Sequence, residues 1–245
     1  MKENLDEFKN AYNNNFKFYD ENQWYLKQYV TYLTETINFK SIKTVLSLGI
    51  GHQVVSDKII SLLNKEILYE YSIVEGSKDI IDNFLVKNKT KKIELHHSYF
   101  EYFETEKKYD AIEMGFVLEH VNDPKLIINK FKKFLKKDGI LFISVPNAKS
   151  LHRLIGNKAG LLENVFQLSK YDLELGHKRY FDLKILKDLV KSCDLKIISQ
   201  KGLMLKPITG DQINKLQWGN KIINALMEIG EDYPEISNCI YIEVS

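Results

Sequence analysis

Cysteine is scarce in this chain: Cys193 and Cys239 are the two among 245 residues, and they have none of the spacings of a metal-ligand site. The opening residues, MKENLDEF, carry no apolar leader, so secretion is not expected and a reducing cytoplasm is. No window approaches the run of about 20 apolar residues that a membrane span requires, which leaves a soluble protein with no membrane partner. A charge excess is also missing. Lys and Arg number 35 against 33 Asp and Glu, a net charge of +2, and so even a balance gives no nucleic-acid footprint. What is present, 44% hydrophobic and 28% charged residues, is the composition of an ordinary globule, long enough to bury a sizeable core as a single domain over residues 1–245. A monomer or homodimer acting on a small molecule is the expected form.

The most informative stretch runs from Val45 to Gln53, VLSLGIGHQ. An apolar run stops at Gly49 and Gly51 and a helical pattern follows. Without Cβ atoms, two such residues permit a sharp strand-to-helix turn whose amides face a ligand. The next apolar run (Leu68, Tyr69, Tyr71, Ile73, Val74) ends at Glu75, 24 residues beyond Gly51, where a carboxylate can accept both ribose hydroxyls of a nucleoside. The alternative is a solvated loop glutamate. A dinucleotide site wants a third glycine three positions after the second; Val54 stands there, which weakens a nicotinamide or flavin cofactor and an oxidoreductase with it.

Strand and helix patterns alternate, which implies a parallel sheet covered on both faces. The strand candidates are Lys43–Leu48, Ile67–Glu75, Lys92–His97, Asp110–Met114, Gly139–Val145, Leu195–Leu203 and Cys239–Val244. Asp123 can cap a helix that has Pro124 in its first turn and ends at Asp138-Gly139, with Ile127, Phe131, Phe134 and Leu135 as its core stripe. Lys130, Lys132, Lys133, Lys136 and Lys137 then read as a solvated flank near the helix C-terminus rather than a nucleic-acid patch.

VLSLGIG, Glu75, the segment YDAIEMGFVLEHVNDP at Tyr109–Pro124, ILFISVPN and GHKRYFDLKILKDLV together resemble the class I S-adenosylmethionine-dependent methyltransferases, over about residues 40 to 200, and most of all the branch with the ubiquinone-type O-methyltransferases and many small-molecule methyltransferases. The resemblance implies an α/β, Rossmann-like fold with a seven-stranded, mostly parallel sheet of order 3-2-1-4-5-7-6, the last strand antiparallel, and helices on both faces. It implies S-adenosylmethionine as cofactor and S-adenosylhomocysteine as product. Carried over by position, Gly49, Gly51 and His52 meet the methionine side, Glu75 and Gly76 the ribose, Ser98 and Tyr99 the adenine edge, and Met114, Gly115 and Phe116 lie beneath the sulfonium.

Three segments fall outside the alternation. Residues 1–40, rich in aromatics (Phe16, Phe18, Tyr19, Trp24, Tyr25, Tyr29, Tyr32), read as a helical lid, with Tyr19 and Tyr25 as the residues facing substrate. Residues 147–177 are too long for an ordinary loop and read as a substrate cap. Residues 205–236 hold a helical insertion before the last strand.

Displacement at a sulfonium methyl mainly needs a nucleophile held in line, and a hydroxyl nucleophile gains from a general base. His177 is the expected base, with His120 in support and Tyr180 beside them; a backbone-bonded His120 and a loop His177 without chemical duty are the alternatives. Ubiquinone-type enzymes carry a carboxylate three residues before the Glu-His pair, which helps hold a divalent metal. Phe116 stands there, so no metal is expected. The acid that many relatives carry two positions before the first motif glycine is Ser47, and their third loop glycine is Gln53. Lys149, Arg153, Lys178 and Arg179 could hold an anionic acceptor, phosphorylated or linked to a nucleotide or sugar, or could simply face water. O-methylation of such a metabolite is expected before N-methylation; the other function kept open is a catalytically silent protein on the same fold.

Overall fold

A computed structural model describes residues 4–12, 19–88 and 92–245, without the side chains of 9–12 and 20; Phe16 and Phe18 lie outside the described residues. A 3-10 turn at Leu5–Tyr12 precedes helix α1 (Tyr19–Phe39). The alternation then runs β1 (Thr44–Leu48), α2 (Val54–Asn64), β2 (Glu70–Glu75), α3 (Lys78–Lys87), β3 (Ile93–His97), β4 (Tyr109–Gly115), α4 (Pro124–Phe131) and β5 (Leu135–Pro146). After β5 come α5 (Leu151–Lys158), α6 (Lys170–Glu174), α7 (Leu183–Ser192), β6 (Ile197–Leu203), α8 (Gly210–Leu216), α9 (Asn220–Asp232) and β7 (Cys239–Val244).

The seven strands form one sheet of order β3-β2-β1-β4-β5-β7-β6. β1 to β5 pair in parallel, and β7 is antiparallel to both β5 and β6, as the resemblance implied. The two faces carry separate apolar clusters. One packs Ile127, Phe131, Leu186 and Val190 of α4 and α7 against Ile112, Met114 and Ile143. The other packs Tyr29, Leu33 and Ile37 of α1 and Ile59 and Leu63 of α2 against Val45, Ile73 and Phe142. Strand order reverses at β1, between β2 and β4, which is where an open α/β sheet presents its ligand crevice. Among the described residues no helix is long and apolar enough to cross a membrane.

The helix after β4 differs from expectation at its far end. Asp123 caps it, its carboxylate accepting from the Leu126 amide at 3.0 Å, but the α-helix stops at Phe131. A 3-10 turn at Lys132–Phe134 follows, and β5 already starts at Leu135, paired to Tyr109 across an irregularity in the ladder. Strand pairing, a long-range interaction, thereby overrides helical periodicity. The lysines are dispersed rather than aligned: Lys130 pairs with Glu104, Lys136 lies 3.0 Å from Asp110, and Lys132 donates to the Cys193 carbonyl at 2.6 Å.

Helix α1 is bolted to the segment between β6 and β7. Gln28 accepts from the Met204 amide at 2.9 Å and donates to the Met227 carbonyl at 2.7 Å, and Lys206 forms a buried ion pair with Glu21. On the other side, Asn147 Nδ2 reaches the Pro234, Glu235 and Ser237 carbonyls, which fixes where the stretch after β5 begins.

Candidate active site

A single continuous pocket opens at the C-terminal ends of β1, β2 and β4, running from the glycine turn and Glu75 to Glu119, His120 and His177. At the first end, Gly49 and Gly51 have φ of +84° and +53°, a region that side chains with a Cβ rarely enter. The Gly49 amide donates to the Val74 carbonyl at 2.8 Å. Glu75, buried at the tip of β2, braces the turn: Oε2 accepts from the Ile50 amide at 3.0 Å and Oε1 from the Ser77 amide at 2.8 Å. Burial raises its pKa, and those amides pull in the other direction. His52 lines the same end, accepts from Asn22 of α1 at 2.9 Å, and is pushed down to about 4 by burial.

The adenine side departs from the positional carry-over. Gly76, Ser98 and Tyr99 are not among the lining residues; the wall there is Phe100, with Leu5 and Phe8 of the N-terminal turn opposite. Leu5 lies against Gly76, and Ser77 donates to Asp6 at 2.5 Å, so this turn covers the end of β2.

Beneath the turn, alternation along β4 separates the expected residues. Gly115 and Phe116 line the pocket, whereas Met114 is fully buried in an apolar cluster and does not line it. The residue that does reach the pocket is Glu113, directly across from Ser47 in the β1–β4 register. Its Oε1 accepts from the Tyr29 hydroxyl at 2.8 Å and the Gly115 amide at 2.7 Å. Burial nevertheless pushes its carboxyl up to about 7, against the lowering effect of Gly115, Tyr29 and Ser47. The carboxylate absent at position 47 is thus present one strand over.

At the inner end, Glu119 is wholly buried, and among the described residues neither carboxylate oxygen has a hydrogen-bond partner. Desolvation pushes it up to about 7, with His177 and Arg179 opposing. The His120 and His177 rings meet edge to face with centroids 4.7 Å apart. His120 is depressed to about 3 by burial and by His177, while its hydrogen bond to the Gly176 carbonyl raises it. His177 is registered on this segment by the neighbouring Lys178 amide, which donates to the Glu119 carbonyl at 2.8 Å. Tyr180 does not line the pocket. Its hydroxyl donates to Asp172 at 2.9 Å.

Among the described residues Glu119, His120 and His177 each offer one ligand atom, and the three atoms lie within 4.8 Å of one another. The expectation of no metal rested on too few donors. His177, remote in sequence, supplies the donor that Phe116 does not, and an orphaned buried carboxylate is the kind of group a cation satisfies. One carboxylate and two imidazoles suit a transition ion such as zinc better than magnesium or calcium.

The four cations expected to hold an anion are spent elsewhere, and none lines this pocket. Lys149 pairs with Asp182 at 2.7 Å, and Lys178 donates to Asn122 at 2.8 Å. Arg153 donates to the Val165 and Gln167 carbonyls and stacks 4.1 Å over the Tyr180 ring. Arg179 donates to the Leu118, Val121 and Asn122 carbonyls. Of the two lid tyrosines, Tyr25 lines the pocket and packs on Phe116 at 5.3 Å, while Tyr19 does not line it and has its ring 6.3 Å from that of His52.

Sequence reasoning missed Glu113 and Asp172, and saw Glu119 only as part of a metal pattern left incomplete at Phe116. A charged residue inside an otherwise apolar strand was the available signal for Glu113. Ser169-x-x-Asp172 is a capping box, which explains Asp172 locally and gives no hint of its nearness to His177.

Residues 19–200 match a protein family described as a methyltransferase domain. Among curated proteins the chain is similar to the ubiquinone biosynthesis O-methyltransferase of Glaesserella parasuis serovar 5 (strain SH0165), 28% identical over 209 residues, which cover 80% of each chain. Among solved structures it is similar to the N-methyltransferase NodS of Bradyrhizobium japonicum WM9 in complex with S-adenosyl-L-homocysteine: TM-score 0.62 at 11% identity, covering 99% of this chain and 98% of that one. An S-adenosylmethionine-dependent methyltransferase from Clostridium acetobutylicum ATCC 824 gives 0.57 at 11% identity, over 90% and 91%.

Proposed function

The chain belongs to this methyltransferase domain family and is a class I S-adenosylmethionine-dependent methyltransferase, and from that premise we propose that it methylates a hydroxyl of a small acceptor seated at the inner end of the pocket. The observation that carries the reading is continuity: the glycine turn and Glu75 share one cavity with Glu119, His120 and His177. A cofactor held at one end therefore points its sulfonium toward titratable groups at the other.

Glu75 takes the two ribose hydroxyls, and the turn at Gly49 and Gly51 gives room and amides to the methionine portion. Glu113 takes its ammonium, in place of the acid missing at Ser47. The acceptor oxygen attacks the methyl carbon, the carbon–sulfur bond breaks with its electrons left on sulfur, and the hydroxyl proton passes to His177, with His120 packed beside it. Of the N-terminal lid, the described residues 4–12 and 19–40 cover the pocket, with Tyr25 and Phe116 as a wall that excludes water, and residues 147–177 serve as the cap that carries His177. With Lys149, Arg153, Lys178 and Arg179 engaged elsewhere, the acceptor meets the pocket through a neutral hydroxyl rather than an anionic group. We place this activity in the cytoplasm, in a monomer or homodimer.

The orphaned Glu119 carboxylate favours a second reading of the same end: Glu119, His120 and His177 hold a divalent transition ion, which when bound would polarise the acceptor oxygen. The proposed function is tested by incubating the protein with trideuteromethyl-labelled S-adenosylmethionine and fractions of small hydroxylated metabolites. A labelled product formed by wild type and lost in Glu75→Ala supports it; cofactor binding with no labelled product from any fraction identifies a silent binding protein.

A further inference from the structure

Asp172 belongs to no cofactor contact and does not line the pocket, yet few carboxylates in the chain are held so closely. It is 6% exposed. Oδ2 accepts from the Ser169 amide and hydroxyl, both at 2.7 Å. Oδ1 accepts from the Tyr180 hydroxyl at 2.9 Å and lies 3.2 Å from Nδ1 of His177, an ion-pair contact without hydrogen-bond geometry, since Nδ1 has no hydrogen-bond partner among the described residues. The backbone closes the arrangement, since the His177 amide donates to the Asp172 carbonyl at 2.8 Å once Gly176, at φ +78°, has turned the chain back. Tyr180 is fixed in turn by Arg153 stacked on its ring.

The Ser169 amide and hydroxyl and the Tyr180 hydroxyl all donate to Asp172, so its carboxylate serves as an acceptor on both oxygens. An ionised carboxylate accepts only, so the imidazole nitrogen facing it must carry a proton. The opposite nitrogen then presents a lone pair. The His177 ring lines the pocket next to Glu119 and His120.

We propose that Asp172 is a positioning residue, which holds His177 in the Nδ1–H form and aims Nε2 at the acceptor. The inference rests on His177 being the proton acceptor of the proposed reaction. In that reaction the acceptor's O–H proton goes to Nε2 as the new oxygen–methyl bond forms and the carbon–sulfur bond breaks, and the imidazolium produced keeps Nδ1–H against Asp172 until Nε2 releases its proton to water. The same geometry explains the tyrosine: Tyr180 fills the remaining acceptor site on Oδ1 and keeps the carboxylate from turning away.

The test needs no acceptor. Full-length protein carrying ¹⁵N-histidine, prepared in chelator and saturated with S-adenosylhomocysteine, is measured at neutral pH by long-range proton–nitrogen correlation, with the His177 signals assigned from His177→Gln. The wild type is expected to show the Nδ1–H pattern. Asp172→Asn is expected to change it to the Nε2–H form or a mixture, and Asp172→Glu to restore it. Ser169→Ala, which weakens the α6 cap without touching the Oδ1–Nδ1 contact, is expected to leave it unchanged. An Nε2–H pattern in the wild type, which needs no variant to fold, overturns the proposal, as does an Asp172→Asn spectrum identical to wild type. Calorimetry on the same samples separates the two levels: equal S-adenosylhomocysteine affinity in wild type and Asp172→Asn supports a role confined to His177, whereas no binding in either overturns the methyltransferase site itself.

Discussion

Replacing Glu75 by glutamine separates two duties that the structure gives one carboxylate. The first is binding. Two ribose hydroxyls donating to a buried charged acceptor are worth about 1.5–3 kcal/mol each, and glutamine keeps one neutral acceptor, so a net loss of about 3 kcal/mol is a fair central value. At 1.4 kcal/mol per decade that is about 100-fold in affinity. The second is folding. Glu75 satisfies the Ile50 and Ser77 amides through separate oxygens, at 3.0 and 2.8 Å; a glutamine has one carbonyl and turns N–H groups toward the other amide. One buried donor left unmet costs about 1–3 kcal/mol, which in a chain of this size lowers Tm by about 2–4 °C per kcal/mol. Calorimetry should therefore show S-adenosylhomocysteine and 5′-methylthioadenosine weakened equally, because both carry the ribose, and a melt should show the modest loss of Tm. Unchanged affinity for both ligands in a variant that melts lower as expected would refute the ribose assignment while leaving the bracing role intact.

Glu113→Gln is expected to discriminate between those two ligands. Only S-adenosylhomocysteine carries the ammonium, so its affinity falls about tenfold, the worth of one charge-assisted contact of about 1.5 kcal/mol, and that of 5′-methylthioadenosine holds. Because burial lifts the Glu113 carboxyl to about 7 and the ammonium needs the ionised form, S-adenosylhomocysteine should bind more weakly as pH falls through 7 and 5′-methylthioadenosine should not; parallel pH profiles would sink this assignment. His177→Gln should lower the rate of labelled methyl transfer by about 10²- to 10⁴-fold with S-adenosylhomocysteine affinity unchanged, and an unaffected rate removes His177 as base. Titration with zinc, followed by calorimetry on chelator-treated protein, should give saturable binding that Glu119→Gln and His177→Gln each abolish; binding that survives both variants places the ion elsewhere.

The parts of the site legible in sequence were those whose chemistry depends on local order. Gly49, Gly51 and Glu75 announced a turn and an acid at a fixed remove, and the sheet of order β3-β2-β1-β4-β5-β7-β6 followed from the motifs rather than from periodicity. Met114 does not line the pocket, which the pattern could have shown, since residues of one strand alternate between faces and Ile112 and Met114 share the side away from Glu113. The end of α4 was out of reach because pairing of Tyr109 with Leu135 is a contact between segments, invisible to a helical pattern. Arg179 and Lys178 stand next to His177 in sequence, yet the same chain crossing that presents His177 to the pocket brings them against the carbonyls and side chain of residues 118–122. Glu119 and Asp172 gain their significance only when the stretch after β4 and the stretch before α7 are laid together.

The central claim, an S-adenosylmethionine site built on the glycine turn and Glu75, is tested most directly by calorimetric titration of the wild-type protein with S-adenosylmethionine and S-adenosylhomocysteine, with NAD as the control ligand. Saturable binding of both sulfur ligands and none of NAD is the predicted result. Binding of NAD without either sulfur ligand would contradict it.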